Sequence, residues 1–289
     1  MRMPARLRAV AASLTLLLLA PATALAQESD APRAPDDPEI ELNLINLWTT
    51  QSLKRHQSYF RITHRFARDL RAGDFGSLLE DFFSLDNGAF IGLEYRFGIT
   101  SHLQAGVNRT AVSKTIQFFG RSDRWRQGNA LPVSISVLGS IEALNNFQDN
   151  YQPALAASVS RTLGTHVVLY ATPAFVWNTQ AVDFVDHGDE HELPGAEEDE
   201  HSHHEHTLFM GLGARVRFRP TAYIVGEYSP RLAGHDPGRA VWGVAIEKAT
   251  RGHTFQVNFT NAAGTTPGQV ARGGSDHDIY LGFNITRRF

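Results

Sequence analysis

The chain has 289 residues, 27 basic and 30 acidic side chains, a net charge of −3 at pH 7 and no cysteine. These values exclude a disulfide-stapled scaffold and leave no general basic surface for a nucleic-acid partner. An apolar fraction of 42% is low for a helical membrane protein, but it suits a barrel, which must be apolar only at every second residue.

Arg2, Arg6 and Arg8 form a positive start, residues 9–20 are an apolar run, and Ala24-Leu25-Ala26 supplies small residues for a signal peptidase. Residues 1–26 are therefore read as a signal peptide cut before Gln27. The run is too short for a transmembrane anchor. Cleavage removes three arginines and no acid, leaving 24 basic and 30 acidic residues and a net charge of −6. Residues 27–55 are read as a periplasmic N-terminal arm, flexible where Pro and Asp crowd residues 27–39. Ile40, Leu42 and Leu44 then alternate with Glu41 and Asn43, which leaves two options open, a short extra strand or a plug segment.

From Gln57 onward the dominant pattern has a period of two, that of strands with one apolar face. In residues 207–219, Leu208, Met210, Leu212, Ala214, Val216 and Phe218 oppose Phe209, Gly211, Gly213, Arg215 and Arg217. Similar alternation marks 88–98, 131–142, 166–178, 239–248 and 252–261, with weaker strands at 58–67, 101–110, 114–121, 152–163 and 221–230. The last strand carries Ile279, Leu281, Phe283, Ile285 and the terminal Phe289 on one face. An aromatic C-terminal residue resembles the recognition signal of outer-membrane barrels, which implies the barrel assembly machinery as a partner. The pattern predicts an all-β, antiparallel transmembrane β-barrel over residues 56–289, with about twelve strands. Connections at 98–101, 122–130, 164–165, 219–221 and 249–252 alternate with 68–87, 143–151, 179–206, 230–238 and 262–277, and only the connection at 111–113 breaks the second series by being short. Tight periplasmic turns and long external loops give that parity, with both termini in the periplasm.

Residues 183–206 form an external loop with ten acids and no Lys or Arg. Its histidines, His187, His191, His201, His203, His204 and His206, are donors that suit Zn, Cu or Ni. The competing reading is a solvated low-complexity loop, since fixed zinc-site spacing is missing. No cofactor is required by the sequence. In the loop 68–87, Ser77 and Glu80 have capping-box spacing and predict a short helix.

With the apolar faces toward lipid, Arg61, Arg65, Glu94, Arg96, Arg215, Arg217, Glu227 and Glu247 point into the lumen. They line either a narrow, weakly anion-favouring pore or a salt-bridged interior that fills the bore. A lipid hydrolase is the enzymatic alternative, because His64 shares the outer face with Phe60, Ile62 and Phe66, but no Ser motif accompanies it.

Phe60-Arg61-Ile62-Thr63-His64-Arg65-Phe66, Gly92-Leu93-Glu94-Tyr95, Gly98-Ile99-Thr100, Asn108-Arg109-Thr110, Lys114-Thr115 and Leu131-Pro132-Val133-Ser134 together resemble a domain-of-unknown-function family of bacterial outer-membrane β-barrels. The resemblance runs over residues 45–289 and implies the barrel fold and the outer membrane of a Gram-negative bacterium. It carries no activity and no site residue. The segment 116–126 is more aromatic and basic than the family pattern, and 183–206 looks like an insertion. The expected function is a non-enzymatic barrel that passes or binds a small solute. A surface metal binder and a structural or adhesive barrel stand as alternatives, with outer-membrane lipid as the surroundings.

Overall fold

The computed structural model describes residues 38–80, 85, 88–128, 130–179, 205–234 and 239–289. Alternating side chains build β1 (Ser58–Phe66), β2 (Ala89–Gly98), β3 (Leu103–Thr110), β4 (Ile116–Trp125), β5 (Ser134–Ala143), β6 (Asp149–Leu163) and β7 (Val167–Thr179). They continue through β8 (Glu205–Arg219), β9 (Ala222–Ser229), β10 (Arg231–Ala233), β11 (Val241–Ala249), β12 (His253–Thr260) and β13 (Tyr280–Arg288). Every pairing is antiparallel, and consecutive strands are neighbours from β1 to β9 and from β11 to β13. The sheet closes where β1 pairs with β13, placing Arg61 opposite Thr286 and Ile62 opposite Ile285. β9 joins β8 to β11, and β10 carries its path along β8 beyond Pro230. Proline has no N–H to donate, so the ladder breaks there. The result is the predicted closed antiparallel barrel of twelve strands, with β9 and β10 acting as one interrupted strand.

The two faces differ as the alternation requires. Ile91, Leu93, Tyr95 and Phe97 of β2 face outward, while Glu94 and Arg96 are buried inside. Leu155, Leu212, Ile224, Ile246 and Val257 continue the exposed apolar surface around the barrel. Among the described residues no helix is long and apolar enough to cross a membrane. The outward face of the strands is the surface that meets lipid.

One rim is made of short connections, including 164–166, 220–221 and 250–252 between consecutive strands, and is called the turn rim below. The opposite rim holds the longer excursions. Two of its connections are short, 111–115 and also 144–148, the latter expected from sequence to be long. Asn145, Asn146 and Phe147 take left-handed conformations there, φ 48°, 59° and 69°, a region that Asn enters more readily than most residues. On the same rim, helix α1 (Phe75–Glu80) begins earlier than the Ser77 cap predicted. The Asp74 carboxylate accepts from the Ser77 N–H at 2.9 Å and closes its first turn.

The bore is filled by inserted chain. Residues 38–50 and Leu53 are buried within the barrel, which settles the open reading of Ile40 to Leu44 in favour of a plug segment. The inner part of the segment read as a periplasmic arm thus lies in the lumen; residues 1–37, including the expected signal peptide, lie outside the described residues. The segment doubles back as a hairpin. Leu44 N donates to Leu47 O at 2.7 Å, and Thr49 N donates to Leu42 O at 3.0 Å. Ile40 packs with Tyr223 and Ala249 beside the turn rim, and Leu53 packs with Leu42 and Tyr59. From the opposite rim, the connection 261–273 enters the bore with helix α2 (Pro267–Ala271), capped by Thr266 and Gln269. Leu44, Ile45, Leu47 and Trp48 share one apolar core with Val270 and Ala271 of this second insertion.

Candidate functional site: an occupied lumen

The hairpin tip sits in a seat built across three strands. Glu227 on β9 lies opposite Gly213 on β8 and opposite Gly243 on β11. A side chain at Gly213 would lie 2.2 Å from Leu44 Cδ1, and one at Gly243 would lie 2.9 Å from Ile45 Cδ1. The two glycines therefore leave the space that Leu44 and Ile45 fill. The Glu227 carboxylate between them accepts from the backbone N–H of Ile45, Asn46 and Leu47 at 2.9–3.1 Å. Three consecutive amides around one carboxylate form a backbone anion nest.

Arginines hold the rest of the hairpin. Arg61 donates to Ile45 O, Arg96 to Asn43 Oδ1, Arg121 to Gln51 O and Arg126 to Thr50 O. Arg215 donates to Asn43 O at 2.8 Å, and Arg65 to Asn46 Oδ1 at 3.2 Å. Ser158 and Gln256 add bonds to the carbonyls of Trp48 and Leu44, each at 3.0 Å. The hairpin brings two carboxylates of its own. Glu41 accepts from Thr254 at 2.8 Å and Tyr59 at 3.1 Å, and Glu39 accepts from Thr50.

Seven of the eight residues predicted to line the lumen are buried there: Arg61, Arg65, Glu94, Arg96, Arg215, Glu227 and Glu247. The structure joins them in separate groups. Glu94 pairs with Arg96 and lies 3.7 Å from Arg61. Arg215 lies 3.2 Å from Glu247. Arg65 binds Asn284 at 2.9 Å, and Glu227 belongs to the hairpin seat. Arg217 is half-buried near the turn rim and bonds Tyr223.

Sequence reasoning missed Arg121, Asp123 and Glu142, which are equally buried in the bore. Arg121 and Asp123 form an ion pair on β4, two strands from β2. Glu142 receives the Thr266 hydroxyl at 2.8 Å and the Gly268 N–H at 3.2 Å, and so anchors the second insertion. Strict alternation carried two residues beyond the predicted strand 114–121 would have found Asp123. Where the two insertions meet, a cavity of about 10 Å³ remains, bordered by Leu47, Trp48, Phe209, Pro267 and Val270. That is room for about one water.

The expected metal ligands His187, His191, His201, His203 and His204 lie outside the described residues. His206 is exposed at the start of β8, and its Nδ1 accepts from the Asn178 N–H at 3.3 Å. Among the described residues no cluster of His, Cys, Asp and Glu is spaced to hold a metal. His64 lies on the outer face of β1, stacked on Phe283 at 4.6 Å and tilted against Phe66 at 4.5 Å.

In a search of solved structures, an outer-membrane channel from Pseudomonas putida F1 aligns over 83% of this chain and 98% of its own, with a TM-score of 0.50 and 9% identity. The KdgM porin aligns over 81% and 99%, with a TM-score of 0.48 and 10% identity. Omp33 of Acinetobacter baumannii covers 81% and 98%, with a TM-score of 0.42 and 10% identity. At such identities the likeness to the Pseudomonas channel shows a shared barrel fold. No curated protein matched by sequence. The profile of a membrane bound beta barrel domain, DUF5777, matches residues 41–289, from the hairpin to the C-terminus. This chain is thus an outer-membrane β-barrel of a Gram-negative bacterium and belongs to the DUF5777 family.

Proposed function

We propose that the barrel is a conduit for small solutes that rests closed, with the N-terminal hairpin as its displaceable gate. One observation carries this reading: the polar inner wall is covered by an inserted segment of chain instead of being filled by its own side chains. Small eight-stranded barrels fill their interior with side chains, whereas a wider barrel leaves room for a channel or a plug. Here the wall offers Arg, Glu, Gln, Asn and Thr, groups that suit water as well as they suit the hairpin.

Magnitudes favour a gate that can move. Burying Leu42, Leu44, Ile45, Leu47 and Trp48 contributes about 1.5–3 kcal/mol each. Fixing the eight backbones of residues 42–49 costs about 1–2 kcal/mol each. The two sums nearly cancel, so the hydrogen bonds to the wall decide whether the hairpin stays. No step of this function needs catalysis.

Conductance of the barrel in a planar bilayer tests the proposal. The mature chain should be nearly silent with brief openings. A variant lacking residues 38–53 should show long, steady openings. If both are silent while inserted and folded, the second insertion closes the bore by itself or nothing passes, and the conduit reading fails.

A further inference from the structure

The groups that the hairpin offers to the wall are mainly acceptors. Five wall arginines reach it through backbone carbonyls or the Asn43 amide oxygen: Arg61, Arg96, Arg121, Arg126 and Arg215. Arg65 adds the Asn46 amide oxygen. These six outnumber the acids interleaved with them, Glu94, Asp123, Glu227 and Glu247. The surplus of positive charge is matched by what the hairpin brings inside, the carboxylates of Glu39 and Glu41, both within electrostatic reach of Arg215. Three of the arginines also keep a buried N–H with no hydrogen-bond partner among the described residues: Arg65 Nε, Arg96 Nη1 and Arg121 Nη1. A guanidinium is a planar fork whose geometry matches planar carboxylate oxygens.

We propose that this arginine wall is a binding track for an extended, carboxylate-bearing solute, and that the hairpin is its resident stand-in. The proposal rests on the displaceable hairpin above and names the solute class of that site. An acidic chain in the bore would receive the same donors that now hold the carbonyls of Asn43, Ile45, Thr50 and Gln51. It would also satisfy the three spare N–H groups. The wall acids and the hydrogen-bonded hydroxyls of Thr254 and Tyr59 would then set the spacing between carboxylates.

The test is a titration of the refolded barrel in detergent with a hexaglutamate peptide, a hexalysine peptide and inorganic phosphate. The full chain and a variant lacking residues 38–53 are compared. The shortened barrel should bind hexaglutamate at least about tenfold more tightly than the full chain does, as removal of a charged competitor predicts. Arg96→Gln with Arg121→Gln in the shortened barrel should weaken that binding by about tenfold or more. No binding of hexaglutamate, or equal binding of hexalysine, overturns the proposal. Tighter binding of phosphate than of hexaglutamate overturns the carboxylate assignment.

Should the shortened barrel not refold, Glu227→Gln in the full chain serves in its place, since it weakens the seat with almost no change of volume. It should bind hexaglutamate at least about threefold more tightly than the wild type, and an unchanged affinity counts against the track. Binding in detergent needs no conduction. A shortened barrel that binds hexaglutamate without conducting sinks the conduit reading, and one that conducts without binding it sinks the track alone.

Discussion

Glu227 is the residue on which the hairpin turns. Three backbone amides converge on its carboxylate inside a buried seat, so its removal strands them together. A buried group left without a partner costs about 1–3 kcal/mol. Glu227→Ala should therefore loosen the tip by at least that amount while the barrel stays folded. Hydrogen exchange checks it: the amides of Ile45, Asn46 and Leu47 should lose protection and those of β6 and β7 should keep it. Unchanged protection at the tip would assign the hold to the arginines instead. Gly213→Val attacks the same seat by volume, because its new methyls would overlap Leu44. Limited proteolysis should then cut within residues 38–53, where the wild type resists.

The inward set of charges was legible in the sequence because Arg and Glu fell on the face opposite an apolar one. Their partners were not. Arg96 and Arg215 bind a segment 53 and 172 positions away in sequence, and only the closed fold brings it there. Phe119 shows the reverse failure. It lies on the lumen face of β4 against Trp48, ring centroids 6.2 Å apart, with Arg96 5.1 Å above its ring. An apolar residue on a polar face blurred the period there, and that blur ended the predicted strand before Asp123.

At the scale of elements, two insertions share one bore, and each has its own anchor. The second hangs on Glu142, and a side chain at Gly268 would lie 2.4 Å from Glu142 Oε1 and 2.2 Å from Gln152 Oε1. Gly268→Val should push α2 out of the barrel without touching the hairpin seat. Cleavage by an added protease within 261–273 should rise, while exchange at Ile45 to Leu47 stays slow. Helix α1 offers a separate pH response. The Ser77 N–H holds the Asp74 carboxyl below its ordinary value of 3.8. A group lowered by folding stabilises the folded form fully above that ordinary value, and the gain fades as pH falls through the lower folded value. The protection of the Ser77 amide, its exchange rate relative to the intrinsic rate at each pH, should thus fall on acidification, and in Asp74→Asn that acid response should vanish.

Strand positions were readable element by element because lipid demands one apolar face and the bore a different one. The connection 144–148 was misjudged in length, although Asn145-Asn146 is a recognisable left-handed turn pair. The hairpin was visible only as alternation in residues 40–44, and alternation fits an edge strand and a plug alike. What separates the two is enclosure, which depends on all twelve strands.

For the molecule as a whole, the width of a twelve-stranded barrel is what makes insertion necessary. The chain should refold into detergent as a β-rich species that migrates differently unheated and boiled, and Leu93→Arg on the lipid face should weaken it by about 2–4 kcal/mol if it sits near the bilayer midplane. A destabilisation near zero would place Leu93 near the interface instead of the bilayer midplane.

The hairpin also bears on how such a barrel is made. It leads directly into β1, and β1 meets β13 only when the last strand has arrived, joining Arg61 to a partner more than two hundred positions away. The strands can be laid around the hairpin as they arrive. The segment touches β8, β9 and β11, so it can serve as a mandrel on which these strands gather before the β1–β13 seam shuts. Long-range closure of this kind is slow, so a chain without residues 38–53 should close its seam more slowly than the intact one, even where the finished cylinders are equally stable.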